Sequence, residues 1–321
     1  MKIVVAGASG RLGRQVCAAL MARKAPVLAL VRTKEAGLKL PPKTKFRAVD
    51  YSDLESLRSA LEGATHVINC TGLIDEEAGE QALYEANVLA TRHLLQACPE
   101  NLGRFVHLSS ISVYGPPQEG QMLNEFSPRN PSGAYGKSKL AAEREVLEWA
   151  HRLPVVVLQP GMIYGPEFRE GFWPMLRQLK KGNARLIGEG DNIIPLVHIQ
   201  DVVNGILRAL VSRVPSGSVF LLVSDERVSQ KQAMERAAKM LGKPGPEEKM
   251  GVGLAYGLAA AYGLLAKVQG RKPSLTPAMM LQLSASRVFD THRARKFLLW
   301  RPAISFKEGL SQVIRKFKTE S

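Results

Sequence analysis

The segment that constrains the fold most is a glycine-rich turn between an apolar run and a helical pattern. Residues 2–6 read Lys-Ile-Val-Val-Ala, and Gly7, Gly10 and Gly13 follow before the helical pattern is complete. In a strand–turn–helix unit the first glycine permits the tight turn and the second lets the backbone approach a pyrophosphate. The third lets the helix pack closely on the strand. The turn therefore predicts a dinucleotide-binding site at the start of a parallel sheet.

Strand and helix patterns alternate through the first half of the chain, as in consecutive βαβ units. The apolar runs occupy residues 2–6, 26–31, 46–49, 66–69, 104–109 and 154–158. The helical patterns occupy residues 11–23, 53–61, 80–97 and 135–151. This alternation predicts an α/β fold with a doubly wound parallel sheet of the Rossmann type.

The second half predicts a smaller lobe and a return to the sheet. A strand–helix pair is expected over residues 196–210 and a strand over residues 219–223. Helical patterns follow or intervene at residues 172–181, 230–241 and 252–268, with further pieces up to residue 317. We expect a dinucleotide-binding domain over residues 1–165, with 196–223 returning to it. A mostly helical substrate lobe is expected from residues 166–195 and 224–321, over the carboxyl edge of the sheet.

The composition limits which cellular compartment and which binding partners we expect for this protein. The chain opens directly into a strand without a leader, which argues against secretion. Its three cysteines, Cys17, Cys70 and Cys98, lie in apolar or helical stretches without metal-ligand spacing. We therefore expect a cytoplasmic protein without disulfides or metal. The net charge of +15 suits phosphorylated ligands or anionic lipid. Because the basic residues are scattered, no nucleic-acid partner is expected.

Arg32 bears on the choice of cofactor. An NAD-selective site offers a carboxylate at the end of the second strand, but residues 30–34 read Leu-Val-Arg-Thr-Lys. Arg32 can clamp a 2′-phosphate, and Arg11 can close over the same group. We predict NADP(H), with NAD(H) as the alternative. Asp50 follows the third strand, where it can accept a hydrogen bond from the adenine amino group. Alternatively it caps the next helix, although Ser52 and Asp53 are better placed for that role.

Tyr135 and Lys139 form a candidate acid/base pair. They begin a helical stretch and, four residues apart, share one helix face. Lowering the pKa of a tyrosine by about three units from its usual value near 10 requires roughly 4 kcal/mol. A neighbouring ammonium and the positive nicotinamide ring together can supply this. Lys139 can also hold the nicotinamide ribose. Ser110, at the end of an apolar strand, is our choice for polarising the substrate oxygen, with Ser109 and Ser112 as alternatives.

Five segments together resemble the extended short-chain dehydrogenases/reductases, the NAD(P)-dependent epimerase/dehydratase superfamily. They are residues 7–13, 109–115, 135–139, 160–166 and 197–202. The resemblance implies a catalytic triad of Ser110, Tyr135 and Lys139. It also implies that Asn87 supports the active-site end of the sheet. Gln159 is a departure, since relatives usually carry arginine before the Pro-Gly pair, and any anionic-substrate contact borrowed from them is in doubt.

The expected cofactor site combines these motifs. The backbone after Pro160 is expected to meet the nicotinamide carboxamide, and the small residues after the fourth strand to let the ribose lie against backbone. The predicted cofactor-binding residues are Gly7, Ser9, Gly10, Arg11, Leu12, Gly13, Arg32, Asp50, Tyr51, Cys70, Thr71, Gly72, Leu108, Tyr135, Lys139, Pro160, Gly161, Met162 and Ile163.

The C-terminal segments point to one branch of this family. Residues 272–276, 293–296 and 300–302 resemble the 3β-hydroxysteroid dehydrogenase and dihydroflavonol reductase branch. Dehydratases carry Asp-Glu where this chain has Ile111-Ser112, so β-elimination is not expected. We predict an oxidoreductase acting on a secondary alcohol or ketone of a lipophilic, sterol-, flavonoid- or polyketide-like substrate. The alternatives are a nucleotide-sugar 4-epimerase and, from another class, a non-catalytic NADP-binding sensor or scaffold.

Residues 250–266 form an uncharged run flanked by basic residues. As a helix it would span roughly 25 Å, short for a bilayer crossing. Two interpretations stay open: a lid helix buried in the substrate lobe, or a helix of 250–268 lying on an anionic membrane. The second would place a cytoplasmic protein at the inner face of a membrane. The family resemblance further suggests a homodimer through helices near residues 80–97 and 135–151.

Overall fold

A seven-stranded parallel sheet forms the centre of the protein. The computed structural model describes residues 2–116, 120–268 and 285–321. The strands are β1 (Ile3–Ala6), β2 (Val27–Val31), β3 (Lys45–Ala48), β4 (His66–Asn69), β5 (Arg104–Leu108), β6 (Val155–Pro160) and β7 (Ser218–Leu222). Their order across the sheet is β7-β6-β5-β4-β1-β2-β3, and all neighbours are parallel. The predicted doubly wound α/β fold is therefore confirmed.

Helices cover both faces of this sheet and build a second lobe. They are α1 (Arg11–Ala22), α2 (Lys34–Gly37), α3 (Leu54–Leu61), α4 (Glu80–Tyr84), α5 (Ala90–Ala97), α6 (Ala134–Glu148), α7 (Arg169–Lys181), α8 (Ile199–Val211), α9 (Gln230–Leu241), α10 (Val252–Val268), α11 (His292–Phe297) and α12 (Phe306–Glu320). A π-helical turn, Glu85–Leu89, joins α4 to α5. Within the described part of the chain, no helix is long and apolar enough to span a membrane.

The strands are apolar along their length because both faces of the sheet are covered. All four residues of β1 are buried, as are all five of β5. One core packs beneath α1 and α8, and another beneath α3, α5 and α6. Parallel sheets need this cover on both sides, which explains the continuous apolar runs in the sequence. Strand order reverses between β1 and β4, and ligands of such sheets bind outside the carboxyl ends at this point.

The second lobe has its own core, formed mainly by aromatic and leucine side chains of α7 and α12. Phe172 and Phe306 lie against Tyr164, with ring centroids 5.6 and 5.8 Å away. The strand predicted within residues 196–210 does not join the main sheet. Leu196–His198 instead pairs in parallel with Met162–Tyr164, which follows directly after β6.

The C-terminal part of the chain packs in both lobes. Ala294, Leu298 and Trp300 lie in the core beneath the sheet, although they fall within the range predicted for the second lobe. The Trp300 indole donates to the Asp201 carbonyl at 2.8 Å, and the Asp201 carboxylate accepts from the Ala303 backbone N–H at 2.8 Å. Asp201 thus ties the C-terminal segment to α8. The predicted division of the chain into two domains stays a prediction.

Candidate active site

The glycine turn after β1 has the geometry that a dinucleotide site needs. Gly7 has φ +69°, and a Cβ there would lie 2.6 Å from the Cys70 carbonyl oxygen. A Cβ on Gly13 would lie 2.4 Å from the Gly7 carbonyl oxygen. Both positions therefore require glycine, the first for conformation and the second for close packing of α1. Gly10 precedes α1 without any side-chain cap. The helix N-terminus, with its unsatisfied N–H groups and positive dipole end, can therefore receive a pyrophosphate.

Several residues that we predicted to bind the cofactor instead contact the glycine turn or pack beside it. The Tyr51 hydroxyl accepts a hydrogen bond from the Gly7 N–H at 2.8 Å, and burial raises the pKa of Tyr51 to about 12. The Arg14 guanidinium donates to the Ser9 carbonyl at 2.6 Å. Leu12 is half-buried and packs against the core beneath the sheet. These residues hold the shape of the turn, so their contribution to binding a dinucleotide is conformational.

The basic residues near this turn differ in where they point. Arg32 is exposed immediately after β2. Arg11, which we expected to close over the same 2′-phosphate, has its guanidinium 5.0 Å from the centre of the Phe168 ring.

Asp50 accepts hydrogen bonds from the backbone N–H and the hydroxyl of Ser52, and these hydrogen bonds lower the pKa of its carboxyl. Asp53 caps α3, as its position suggested.

Asn87 pins the loop after β4 at the carboxyl edge of the sheet. Its amide accepts from the Leu73 N–H at 2.7 Å and donates to the Leu73 carbonyl at 3.0 Å and to the Ser138 hydroxyl at 2.8 Å. Ser138 in turn donates to the Tyr135 carbonyl at 2.8 Å. Asn87 thus links this loop to the first turn of α6, which agrees with the supporting role that the resemblance implies. It does so from the π-helical turn, a distortion that frequently marks functional sites.

The small residues after β4 lie beside this link. Thr71 is tied back to Asn69, whose side chain accepts from the Thr71 N–H at 3.0 Å. Gly72 has φ +151°, and a Cβ there would lie 2.8 Å from Asn87 Oδ1 and 3.8 Å from Lys139 Nζ. Burial raises the pKa of the Cys70 thiol. The predicted strip of small residues, Cys70, Thr71 and Gly72, therefore runs past Lys139.

Ser110, Tyr135 and Lys139 meet at one point of the sheet edge. The Ser110 side chain lies beside the Tyr135 hydroxyl and favours its phenolate. Lys139 is 3 % exposed, and its ammonium donates to the carbonyl oxygen of Leu108, the last residue of β5, at 2.5 Å. Helix α6 presents Tyr135 and Lys139 on one face because they are four residues apart. The structure therefore brings the predicted triad together.

Burial sets the protonation of this triad in the protein alone. Burial raises the pKa of Tyr135 to about 12, and it lowers the pKa of Lys139 to about 8. The lowered tyrosine pKa that we predict depends also on the nicotinamide ring. In the protein alone, desolvation of the phenolate outweighs the opposing effect of Ser110 and keeps this pKa raised. At neutral pH the pair is consequently a neutral tyrosine beside a charged ammonium. This is the state required to donate a proton to a carbonyl oxygen.

The two alternative serines differ from Ser110 in their partners. The Ser109 hydroxyl donates to the buried carboxylate of Glu143 at 2.6 Å. Ser112 lies beside Ser110, whose hydroxyl donates to the Ser112 hydroxyl at 3.1 Å. Of the three serines, Ser110 is therefore the one that lies beside Tyr135, with Ser112 next to it.

Glu143 organises a buried polar cluster behind the triad. The Gln159 amide donates to both of its carboxylate oxygens, at 3.1 and 2.9 Å. Arg129 forms an ion pair with Glu143, with Arg129 Nε 2.9 Å from a carboxylate oxygen. The Tyr114 hydroxyl donates to Gln159 at 2.7 Å. Gln159 is thus committed to Glu143, and the negative charge of Glu143 partly offsets the burial that lowers the pKa of Lys139.

The segment after Pro160 uses part of its backbone within the protein. The Gly161 N–H donates to the Leu222 carbonyl at 2.9 Å, and the Met162 N–H donates to the Pro195 carbonyl at 2.7 Å. We predicted that this segment, including Ile163, contacts the nicotinamide carboxamide. Because these two N–H groups are already hydrogen-bonded, such a contact would have to use other groups of the segment.

Sequence reasoning missed three polar residues of this region. Glu143 had a signal, because it follows Lys139 by four residues and continues the same helix face. Arg129 and Arg287 had none, since each reaches its partner through a loop or from the second lobe. Arg287 donates to the carbonyl of Ile111, 176 residues away in sequence.

Comparison with known proteins identifies a family and several similar proteins. The model of a family described as NAD dependent epimerase/dehydratase matches residues 3–222. The 2-alkyl-3-oxoalkanoate reductase of Stenotrophomonas maltophilia is 25% identical over 98% of this chain and 98% of its own length. The sterol-4-alpha-carboxylate 3-dehydrogenase, decarboxylating, of Mus musculus is 23% identical over 98% of this chain and 91% of its own.

The same fold occurs in a solved enzyme of sugar metabolism. The UDP-glucuronic acid 4-epimerase from Bacillus cereus, in complex with NAD, superposes with a TM-score of 0.78 at 22% identity, covering 99% of each chain. At this identity the likeness concerns the fold.

Proposed function

The chain belongs to the NAD-dependent epimerase/dehydratase family, and we propose that within this family it is an NAD(P)-dependent oxidoreductase of lipophilic substrates. The reaction interconverts a ketone and a secondary alcohol. One observation carries the proposal: the Tyr135 hydroxyl, still protonated at neutral pH, lies beside Ser110, and Tyr135 shares its helix face with Lys139. The two similar proteins named as a reductase and a dehydrogenase support this reaction class.

Each residue of the triad has a distinct task in ketone reduction. A nicotinamide cofactor held at the glycine turn would supply the hydride that the carbonyl carbon accepts. Tyr135 donates its proton to the carbonyl oxygen, while Ser110 donates a hydrogen bond that stabilises the negative charge developing there. The Lys139 ammonium favours the resulting phenolate. In alcohol oxidation the same proton moves in the opposite direction, to Tyr135.

A nucleotide-sugar 4-epimerase uses the same triad and is the second candidate, because the fold is shared with a 4-epimerase. The two are separated by incubating the protein with NADPH and a panel of lipophilic ketones, and separately with UDP-sugars. We expect consumption of NADPH with ketones and no change in sugar configuration. Epimerisation of a UDP-sugar without net NADPH consumption would overturn the oxidoreductase. Cofactor binding without turnover in either assay would favour the non-catalytic sensor.

We further propose a preference for NADP(H), supported by Arg32. It is exposed after β2, and no acidic residue stands in the adjacent segment 30–34. A guanidinium there can bind the 2′-phosphate with two parallel hydrogen bonds. NADPH should bind the wild type more tightly than NADH, and Arg32→Asp should reverse this order, as measured by cofactor fluorescence titration. Equal affinity of the wild type for both cofactors would remove the basis for this preference.

Two further proposals concern the membrane and the oligomeric state of the enzyme. Because α10 is uncharged up to Ala266 and most of its described side chains are exposed, we propose that it contacts the anionic inner face of a membrane from the cytoplasm.

We also propose a homodimer through α4, α5 and α6, which pack together on one face of the sheet. Light scattering at micromolar concentration should then give twice the chain mass of 35.1 kDa.

A further inference from the structure

Glu143 is a buried carboxylate one helix turn beyond Lys139 in α6. Its side chain is 0 % exposed. Hydrogen bonds of 2.6 to 3.1 Å reach it from the Ser109 hydroxyl after β5, the Gln159 amide in β6 and Arg129 Nε in the loop before α6. A buried ion pair is weak evidence for stability, because well-packed apolar residues often stabilise a core as well or better. The position of this carboxylate behind the triad therefore needs an explanation beyond stability.

The hydrogen bond from Ser109 connects Glu143 to the end of β5. Ser109 stands between Leu108 and Ser110 in the chain. The Leu108 carbonyl accepts from the Lys139 ammonium at 2.5 Å. By holding Ser109, the carboxylate therefore fixes the backbone acceptor of Lys139 on one side and the serine of the triad on the other.

The charge of Glu143 is opposed by few others around Lys139. The titratable groups that lie near this ammonium include Tyr135 in the same helix, Cys70 after β4 and His107 in β5. Burial raises the pKa of Tyr135 to about 12 and also raises the pKa of the Cys70 thiol. Burial and the charge of Lys139 lower the pKa of His107 well below its ordinary value. Since these three groups are uncharged at neutral pH, the countercharge of Lys139 is supplied by Glu143.

We propose that Glu143 is a positioning residue of the reaction, whose buried charge keeps the Lys139 ammonium protonated and whose hydrogen bonds hold the end of β5 in place. The proposal rests on the oxidoreductase function proposed above. Arg129 limits the effect, because its guanidinium partly neutralises the same carboxylate. Removing the carboxylate and removing its arginine should therefore change the protonation of Lys139 in opposite directions.

The test is the pH dependence of NADPH affinity, measured by fluorescence titration of the wild type and two variants. In the wild type, affinity should fall as Lys139 loses its proton near pH 8. Glu143→Gln keeps the shape of the side chain but removes its charge, so the midpoint of this fall should move down by about one pH unit. Arg129→Met leaves the carboxylate without its countercharge, so the midpoint should move up by about half a unit.

Glu145→Gln is the matched control. Glu145 also lies in α6 and is paired with an arginine, Arg92, at 2.5 Å. It is six residues from Lys139 and so lies off the helix face that Lys139 shares with Glu143. This variant should leave the midpoint unchanged.

Shifts in the same direction in Glu143→Gln and Arg129→Met, or no shift in either, would overturn the proposal, because a general loosening of the site cannot move the midpoint both ways. If Glu143→Gln does not fold, the upward shift of Arg129→Met decides alone. A turnover assay with ketones and secondary alcohols keeps the two proposals separable. Opposite shifts without turnover would retain the action of Glu143 on Lys139 and reject the oxidoreductase, whereas turnover with unshifted midpoints would do the reverse.

Discussion

The carboxyl edge of the sheet and helix α10 use uncharged side chains in opposite ways. At the sheet edge, leucines and valines are fully buried, and the polar groups among them hold specific partners, as Asn87 and Glu143 do. In α10, Leu254 is 61 % exposed and Tyr262 is 61 % exposed, while Ala255 and Ala259 are buried against the second lobe. An apolar helix surface left open to water usually marks a contact site. Apolar side chains therefore stabilise the fold at the sheet edge, whereas in α10 they are free to contact another surface.

The largest expected effect lies at the sheet edge, in the Tyr135→Phe variant. The ring still packs, but the transferable proton is lost. Turnover should fall by about 10²–10⁴-fold, the usual contribution of a general acid or base. Cofactor affinity from fluorescence titration should stay close to that of the wild type. A variant that keeps more than about a hundredth of the activity would show that another group moves the proton.

Two leucines test the contrast in burial directly. Leu158 in β6 is fully buried, whereas Leu258 in α10 is 45 % exposed. Leu158→Ala should lower the free energy of unfolding by about 2–5 kcal/mol, and Leu258→Ala by less than about 0.5 kcal/mol. Urea denaturation of both variants measures the difference. Similar losses would mean that α10 is covered in solution and acts as the buried lid.

Lys139 should make cofactor binding depend on pH. Burial holds its pKa in the folded protein at about 8, below the ordinary 10.5, so the ammonium loses its proton as pH rises through 8. The uncharged amine is a weaker partner for a ribose hydroxyl. NADPH affinity should therefore fall several-fold between pH 7 and 9.5. Arg cannot deprotonate in this range, so Lys139→Arg should flatten the profile, and an unchanged slope would point to another titrating group.

The smallest expected effect concerns membrane contact. Leu258→Asp places a charge on the exposed surface of α10 and should reduce sedimentation with phosphatidylserine-containing vesicles several-fold, without loss of activity on a soluble ketone. Leu38→Asp, at a leucine that is 79 % exposed in another part of the chain, is the control and should leave sedimentation unchanged. Binding should weaken with salt, because anionic lipid attracts a chain of net charge +15 through screened interactions. Wild-type protein that stays in the supernatant at low salt would contradict the membrane proposal.

Much of the fold was predictable from the sequence because its signals are local. The predicted strand over residues 66–69 and helix over residues 230–241 match the observed bounds, and most other bounds in the first half differ by one or two residues. The exception is the strand at Leu196–His198, which pairs outside the main sheet. An apolar run predicts an extended, buried segment, but it does not encode which neighbour the segment pairs with.

By itself the sequence determined the glycine turn and the pairing of Tyr135 with Lys139. Both depend on backbone conformation and helical periodicity over fewer than ten residues. Only the tertiary structure decided which serine meets Tyr135 and that Arg11 packs on Phe168. It alone also placed Arg287 beside the turn that follows Ser110. These contacts join distant segments, or depend on how a strand ends, and burial then shifts the pKa values of the groups they enclose.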